Sequence, residues 1–216
     1  MIASHQHRFI FLKTRKTAGT SLEIALSRVC GPLDVITKIA EPDEVLRAEA
    51  GGRAPQNFTV PPLNGKVWAH VPAAQARRAL GREAWSGYFK FAVERNPWDA
   101  VVSLYFWRFK DPDRRPPFDR FVNSGRIEAL AQKNSAICRI RGRVALDHTL
   151  RHERLDQDIA EVWERLDLPG APDLPHAKSG TRPKTSGGYR DLYTPATRDR
   201  VATVFTDVID LLGYEF

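Results

Sequence analysis

Seven consecutive residues, Arg15, Lys16, Thr17, Ala18, Gly19, Thr20 and Ser21, have the types needed to hold an anion. They lie between a short apolar run and a helical pattern. In that position the backbone N–H groups of a loop converge on negative charge, which the helix dipole also favours. Thr20 and Ser21 add hydroxyl donors, Gly19 allows close backbone approach, and Arg15 and Lys16 bring positive charge. In a Walker A loop the lysine follows the last glycine. Here Lys16 precedes Gly19, so its ammonium reaches over the anion toward a group beyond it. The competing reading is a capped helix start with surface cations.

A second constellation lies in "FKFAVERNPWDAVVS". Period two puts Phe89, Phe91, Val93 and Arg95 on one strand face and Lys90, Ala92 and Glu94 on the other. Asn96 is the expected N-cap and Pro97 the first helical residue. Ser103, two helical turns beyond Asn96, returns to the side where Arg95 emerges. Arg95 and Ser103 together make a second anion site; singly, they are a strand-end arginine and a small packing residue. A kinase or ATPase needs carboxylates that hold Mg²⁺ against the phosphates. The one acid ending a buried strand, Glu94, faces away from Arg95, so no metal ligand set is expected. Two phosphate sites, a leading lysine and no evident Mg²⁺ ligand describe a nucleotide with phosphates at both ends.

Proton transfer near neutral pH calls for histidine. His70 ends "KVWAH", read as a strand, on the side where both loops open; the alternative is a histidine hydrogen-bonded in the turn before Pro72. His5 and His7 lie near a terminus expected to fray, and His148 and His152 read as structural. From His176 to Arg190 the chain carries Lys178, Arg182, Lys184 and Arg190 and no acid, with glycines and prolines between them.

The elements that position these groups alternate. "RFIFLK" reads as a strand, "TSLEIALSRV" as a helix, "PDEVLRAEA" as a short helix and "PAAQARRAL" as a helix opened by Pro72. "FDRFVNSG" is a short helix, "RVALDHTLRHE" a strand, "LDQDIAEVWERLDL" an amphipathic helix, and a last helix runs from Thr194 to about Leu212. Strands alternating with helices imply a central parallel sheet flanked by helices in one α/β domain, residues 1–216, with ligands beyond the strands' carboxyl ends.

The chain has 216 residues, 42% apolar and 27% charged, as expected of a globular protein. The 33 Lys and Arg exceed the 26 Asp and Glu, for a net charge of +7. That surplus favours anionic partners without choosing among nucleic acid, acidic glycan, lipid headgroup or nucleotide. Cys30 and Cys138 lack metal-ligand spacing and read as reduced thiols. No stretch approaches membrane-spanning length, and the reading is a soluble, cytoplasmic protein.

The segments "KTAGTS" and "RNPWDAVVSLYF" resemble the 5′-phosphosulfate loop and the 3′-phosphate motif of sulfotransferases that use 3′-phosphoadenosine 5′-phosphosulfate (PAPS). The resemblance is closest to the carbohydrate sulfotransferase branch. "LRHERLDQDI" and "YTPATRDRVATVFTDVIDLLGYEF" resemble later landmarks, so the similarity spans almost the whole chain, and it implies a P-loop-like fold. It implies that residues 15–21 bind the 5′-phosphate and that Lys16 meets the oxygen joining phosphate to sulfate, stabilising charge that develops there. It further implies that Arg95 and Ser103 hold the 3′-phosphate, that Arg182, Lys184 and Ser186 close over it, and that His70 is the base. No metal is implied. The acceptor would carry a hydroxyl, on a glycan or another carbohydrate-containing molecule, anionic glycans included.

The rivals are a P-loop kinase, disfavoured by the order of Lys16 and Gly19, and a polyanion- or nucleic-acid-binding module. The basic residues flank phosphate loops and do not interleave with exposed aromatics, which disfavours the second; no nucleic acid is expected. If the basic segment meets the 3′-phosphate, 3′,5′-ADP will slow tryptic cleavage after Lys178 and Lys184, on either side of Arg182, whereas 5′-AMP will protect much less. Equal protection by both nucleotides in a timed digest would reduce the segment to a solvated connector.

Overall fold

The computed structural model describes residues 1–175 and 188–216. In chain order the elements are β1 (Ile2–Ser4), β2 (Phe9–Phe11), α1 (Gly19–Ser27), β3 (Val35–Ile36), α2 (Glu41–Glu49), α3 (Ala73–Gly87), β4 (Phe89–Glu94) and α4 (Pro97–Arg108). Then come α5 (Phe118–Val122), α6 (Arg126–Cys138), a hairpin of β5 (Arg139–Ile140) and β6 (Arg143–Val144), β7 (His148–Arg151), α7 (Leu155–Arg165), α8 (Pro195–Val204) and α9 (Thr206–Leu212).

Five strands form the central sheet in the order β3-β1-β2-β4-β7. β2 pairs in parallel with β4, and β4 with β7. β1 is antiparallel to both its neighbours, so it alone runs against the rest. The sheet is therefore mostly parallel, as expected. Alternate strand residues enter opposite cores. Phe9, Phe11, Phe91, Val93 and Leu150 pack against α1 and α7, while Ile10, Leu12 and Ala92 pack against α3 and the end of α6. A third core, rich in aromatics, joins α4, α5, α6 and α8.

Three expectations are corrected. The N-terminal residues do not fray: Ile2–Ser4 is a fully buried sheet strand, because Ile2 and Ala3 supply apolar side chains to both cores. "KVWAH" is not a strand, since β4 occupies the place beside β2; Val67 is anchored by one backbone bond to Phe58 and His70 lies in a turn. The expected final helix breaks at Phe205 into α8 and α9. Helix α6 was not foreseen.

The charge placed inside this fold is concentrated at Glu23. Its Oε1 meets the Met1 amine at 2.7 Å and Thr37 Oγ1 at 2.9 Å, its Oε2 meets Lys13 Nζ at 2.7 Å, and Arg47 Nη2 lies 3.8 Å away. Burial alone would raise the Glu23 pKa, but the Met1 and Lys13 charges outweigh it and hold it at about 2. A carboxylate so depressed stabilises the fold above the ordinary carboxylate range and loses that contribution as pH falls toward 2. Removing it strands buried cations, so Glu23→Ala should cost about 3–5 kcal/mol in denaturant titrations. The exposed Glu49→Ala should change stability by about 0.5 kcal/mol or less. A Glu23 loss no larger than the Glu49 one would show the cluster to be energetically neutral.

Candidate functional site

The loop before α1 is held residue by residue. Lys13 is fixed by Glu23. Thr14 Oγ1 donates to the Val93 carbonyl at the end of β4 and pairs with Thr17 Oγ1 at 2.8 Å. The Arg15 backbone is gripped from both sides by Asn134 of α6: its N–H donates to Asn134 Oδ1 at 2.9 Å, and its carbonyl accepts from Nδ2 at 3.1 Å. The Lys16 carbonyl accepts from Arg95 Nη1 at 3.2 Å.

Thus clamped, the chain adopts positive φ at Lys16 (66°) and Ala18 (59°), while Thr17 between them does not. Alternating hands of this kind fold successive N–H groups into an anion-accepting concavity, and left-handed non-glycine residues are strained enough to suggest function. The N–H groups of Thr17, Ala18 and Gly19 have no partner among the described residues. Gly19 is required for packing: a Cβ there would lie 2.8 Å from Lys13 Cγ.

Lys16 Nζ rests over the Trp107 ring, 5.1 Å from its centroid. Arg95 emerges where β4 ends. Its Nε and Nη2 both donate to Asp99 Oδ2, at 2.8 and 2.6 Å. The two sequence constellations therefore touch directly, through Arg95 and Lys16. Asn96 caps α4 as expected, accepting from Trp98 and Asp99 N–H groups. Ser103 is half-buried two turns along that helix.

His70 Nδ1 lies 2.9 Å from the Lys13 carbonyl. A carbonyl only accepts, so Nδ1 carries the proton and Nε2 is bare. Burial pushes this imidazole down to about 4; the bond to Lys13 opposes the shift and the Arg15 charge adds to it. Arg182, Lys184 and Ser186 lie outside the described residues, as do His176 and Lys178.

A cavity opens on each side of the loop. One, of about 430 Å³, is lined by Ala18, Ser21, His152, Glu153, Leu174 and Pro175. It brings His152, read from the sequence as structural, to the loop. The other, of about 560 Å³, is lined by Thr17, Glu94 and Arg95 together with residues of α4, α6, α8 and α9. Among the described residues no group of three or more His, Cys, Asp or Glu is arranged to hold a metal, and no helix is long and apolar enough to cross a membrane.

Two participants were missed in the sequence. Asn134 had no signal of its own, because its role is to grip a backbone 119 residues away. The opposite strand faces expected for Glu94 and Arg95 do not keep them apart: both line the larger cavity. Among the described residues the Glu94 carboxylate has one hydrogen-bond partner, the weak donor Cys138 Sγ, at 3.4 Å. Burial lifts the carboxyl to about 7 against the opposing pulls of Cys138 and Arg139.

An acid with a raised folded pKa ionises first in the unfolded chain, near its ordinary 4.5. The fold therefore loses stability as pH climbs from there through 7. Glu94→Gln removes that loss. The variant should match wild type at pH 4 and exceed it by about 3 kcal/mol at pH 8. Parallel stability curves for the two proteins would assign the titration elsewhere.

No family model and no solved structure matches the chain. A stretch of 107 residues is 35% identical to an uncharacterized protein of Archaeoglobus fulgidus, covering 48% of this chain and 88% of that one.

Proposed function

We propose that this chain, which belongs to one family with the uncharacterized archaeal protein, has a P-loop-like fold and is a sulfotransferase moving a sulfuryl group from PAPS to an acceptor hydroxyl. The observation behind this reading is a clamped loop of unpartnered N–H groups standing between two cavities. Group transfer needs that arrangement: donor on one side, acceptor on the other, and the transferable anion at the junction.

The residues present suit the donor. The Thr17, Ala18 and Gly19 N–H groups would take the 5′-phosphate, with Thr20 and Ser21 beside them. The smaller cavity, against Ala18 and Ser21, has room for the nucleoside. The resemblance assigns the 3′-phosphate to Arg95 and Ser103, although Arg95 lines the larger cavity and not the smaller. Asp99 orients Arg95 but opposes a second anion, so more cations are needed there, and the resemblance supplies them in Arg182 and Lys184. The bound donor contributes an activated sulfuryl group.

Lys16 would swing from Trp107 to the oxygen that gains charge as the S–O bond breaks, where a cation stabilises the transition state more than the ground state. His70, already deprotonated at Nε2, would accept the hydroxyl proton. Its depressed pKa rises once anions replace water beside Arg15 and Lys13. The glycan nature of the acceptor rests on the resemblance alone.

Calorimetry in excess EDTA should show tight binding of 3′,5′-ADP. Lys16→Ala should depress turnover far more than that affinity. His70→Ala should leave nucleotide binding nearly intact and cut turnover by about 10²-fold or more. An absolute Mg²⁺ requirement, or preference for ATP, would defeat the proposal; wild-type rates in His70→Ala would move the base elsewhere.

A further inference from the structure

The larger cavity has a chemical character of its own. Its volume, about 560 Å³, lies in the range of small-molecule sites. Pro97, Ala100, Ala131, Phe205 and Val208 give it an apolar wall. Its charged groups are Glu94, Arg95, Arg139, Arg141 and Asp207. Glu94 is the buried one, 6% exposed, on the side where Thr17 and Arg95 meet the loop.

Arg139 and Arg141 mark the other side, because they also line the neighbouring groove, where Arg77, Arg78 and Arg82 project from α3. That groove contains no acidic residue. Arg139 is partly engaged by Asp207 at 3.5 Å, while Arg141 is exposed and makes no ion pair among the described residues.

A carboxyl this deeply buried calls for a better partner than a thiol. The titratable groups that interact with it electrostatically are Arg139 from the hairpin, the neutral phenol of Tyr214 and the thiol of Cys138 from α6. None donates a strong hydrogen bond to it. A ligand hydroxyl would, and the same hydroxyl would lie at the loop end of the cavity. An apolar ring would fill the middle, and an anionic group would meet the guanidiniums at the mouth, where the positive groove also steers anions inward.

We propose that this cavity is a binding site that takes a compact hydroxylated carboxylate with an apolar ring, its hydroxyl on Glu94 and its carboxylate on Arg139 and Arg141. The site is independent of the sulfuryl-transfer reading, whose base, His70, is not among the residues that line this cavity.

Three probes separate the contacts: 6-hydroxy-2-naphthoate, 2-naphthoate without the hydroxyl, and 2-naphthol without the carboxylate. In calorimetric titrations the first should bind at least tenfold more tightly than either of the others. Glu94→Leu should erase its advantage over 2-naphthoate while leaving 2-naphthoate binding in place, which also shows that the variant folds. Arg141→Ala should erase its advantage over 2-naphthol. A titration of 3′,5′-ADP into the same protein reads the donor site independently. If that nucleotide binds and no naphthyl probe does, or all three bind alike, the cavity proposal is overturned and the donor reading stands. If the probes discriminate as expected and the nucleotide fails, the donor reading falls and the ligand site remains.

Discussion

The ion pair between Lys13 and Glu23 sets the geometry on which the candidate site depends. The partners are ten residues apart, both buried, and every residue of the anion loop's first half lies between them. A buried charge is tolerable only when paired, so the two ends of this stretch are drawn to a fixed separation. Each following residue is then held by a different part of the molecule. Thr14 is tied to β4, Arg15 to α6 and Lys16 to Arg95. Among the described residues the N–H groups from Thr17 to Gly19 are left without a partner. Donors fixed in advance need no rearrangement when charge arrives.

Parallel pairing brings the second constellation to the same edge. With Phe11 opposite Phe91, β2 and β4 run together, so the loop after one and Arg95 after the other emerge side by side. An antiparallel register would have sent them to opposite ends of the sheet. Covering helices on both faces are what make such a register stable. The apolar alternation of β4 provides for this, feeding Phe91 and Val93 to one core and Ala92 to the other.

That alternation was legible in the sequence, as were the N-cap at Asn96 and the loop before α1. Helix α6 was hidden by its own function. Ile127, Leu130, Ile137 and Cys138 share its buried side with Asn134, and a polar residue in the middle of an apolar stripe breaks the periodicity that would reveal it. β1 was obscured because three residues are too few to show a period. At 66–70 the error ran the other way: a short apolar run looks the same in a strand and in an anchored turn, and only the place already taken by β4 decides. The importance of Glu94 depended on the cavity beneath it, a property of helices far away in sequence.

The bonds that shape the loop span 79 residues to Val93 and to Arg95, and 119 to Asn134. Contacts so distant in sequence can form only after the intervening chain has been ordered, since their loop-closure entropy must be met first. The shape of the loop is thus a property of the completed fold. Any ligand seated in it would recognise only that state, and by mass action would draw the folding equilibrium toward it.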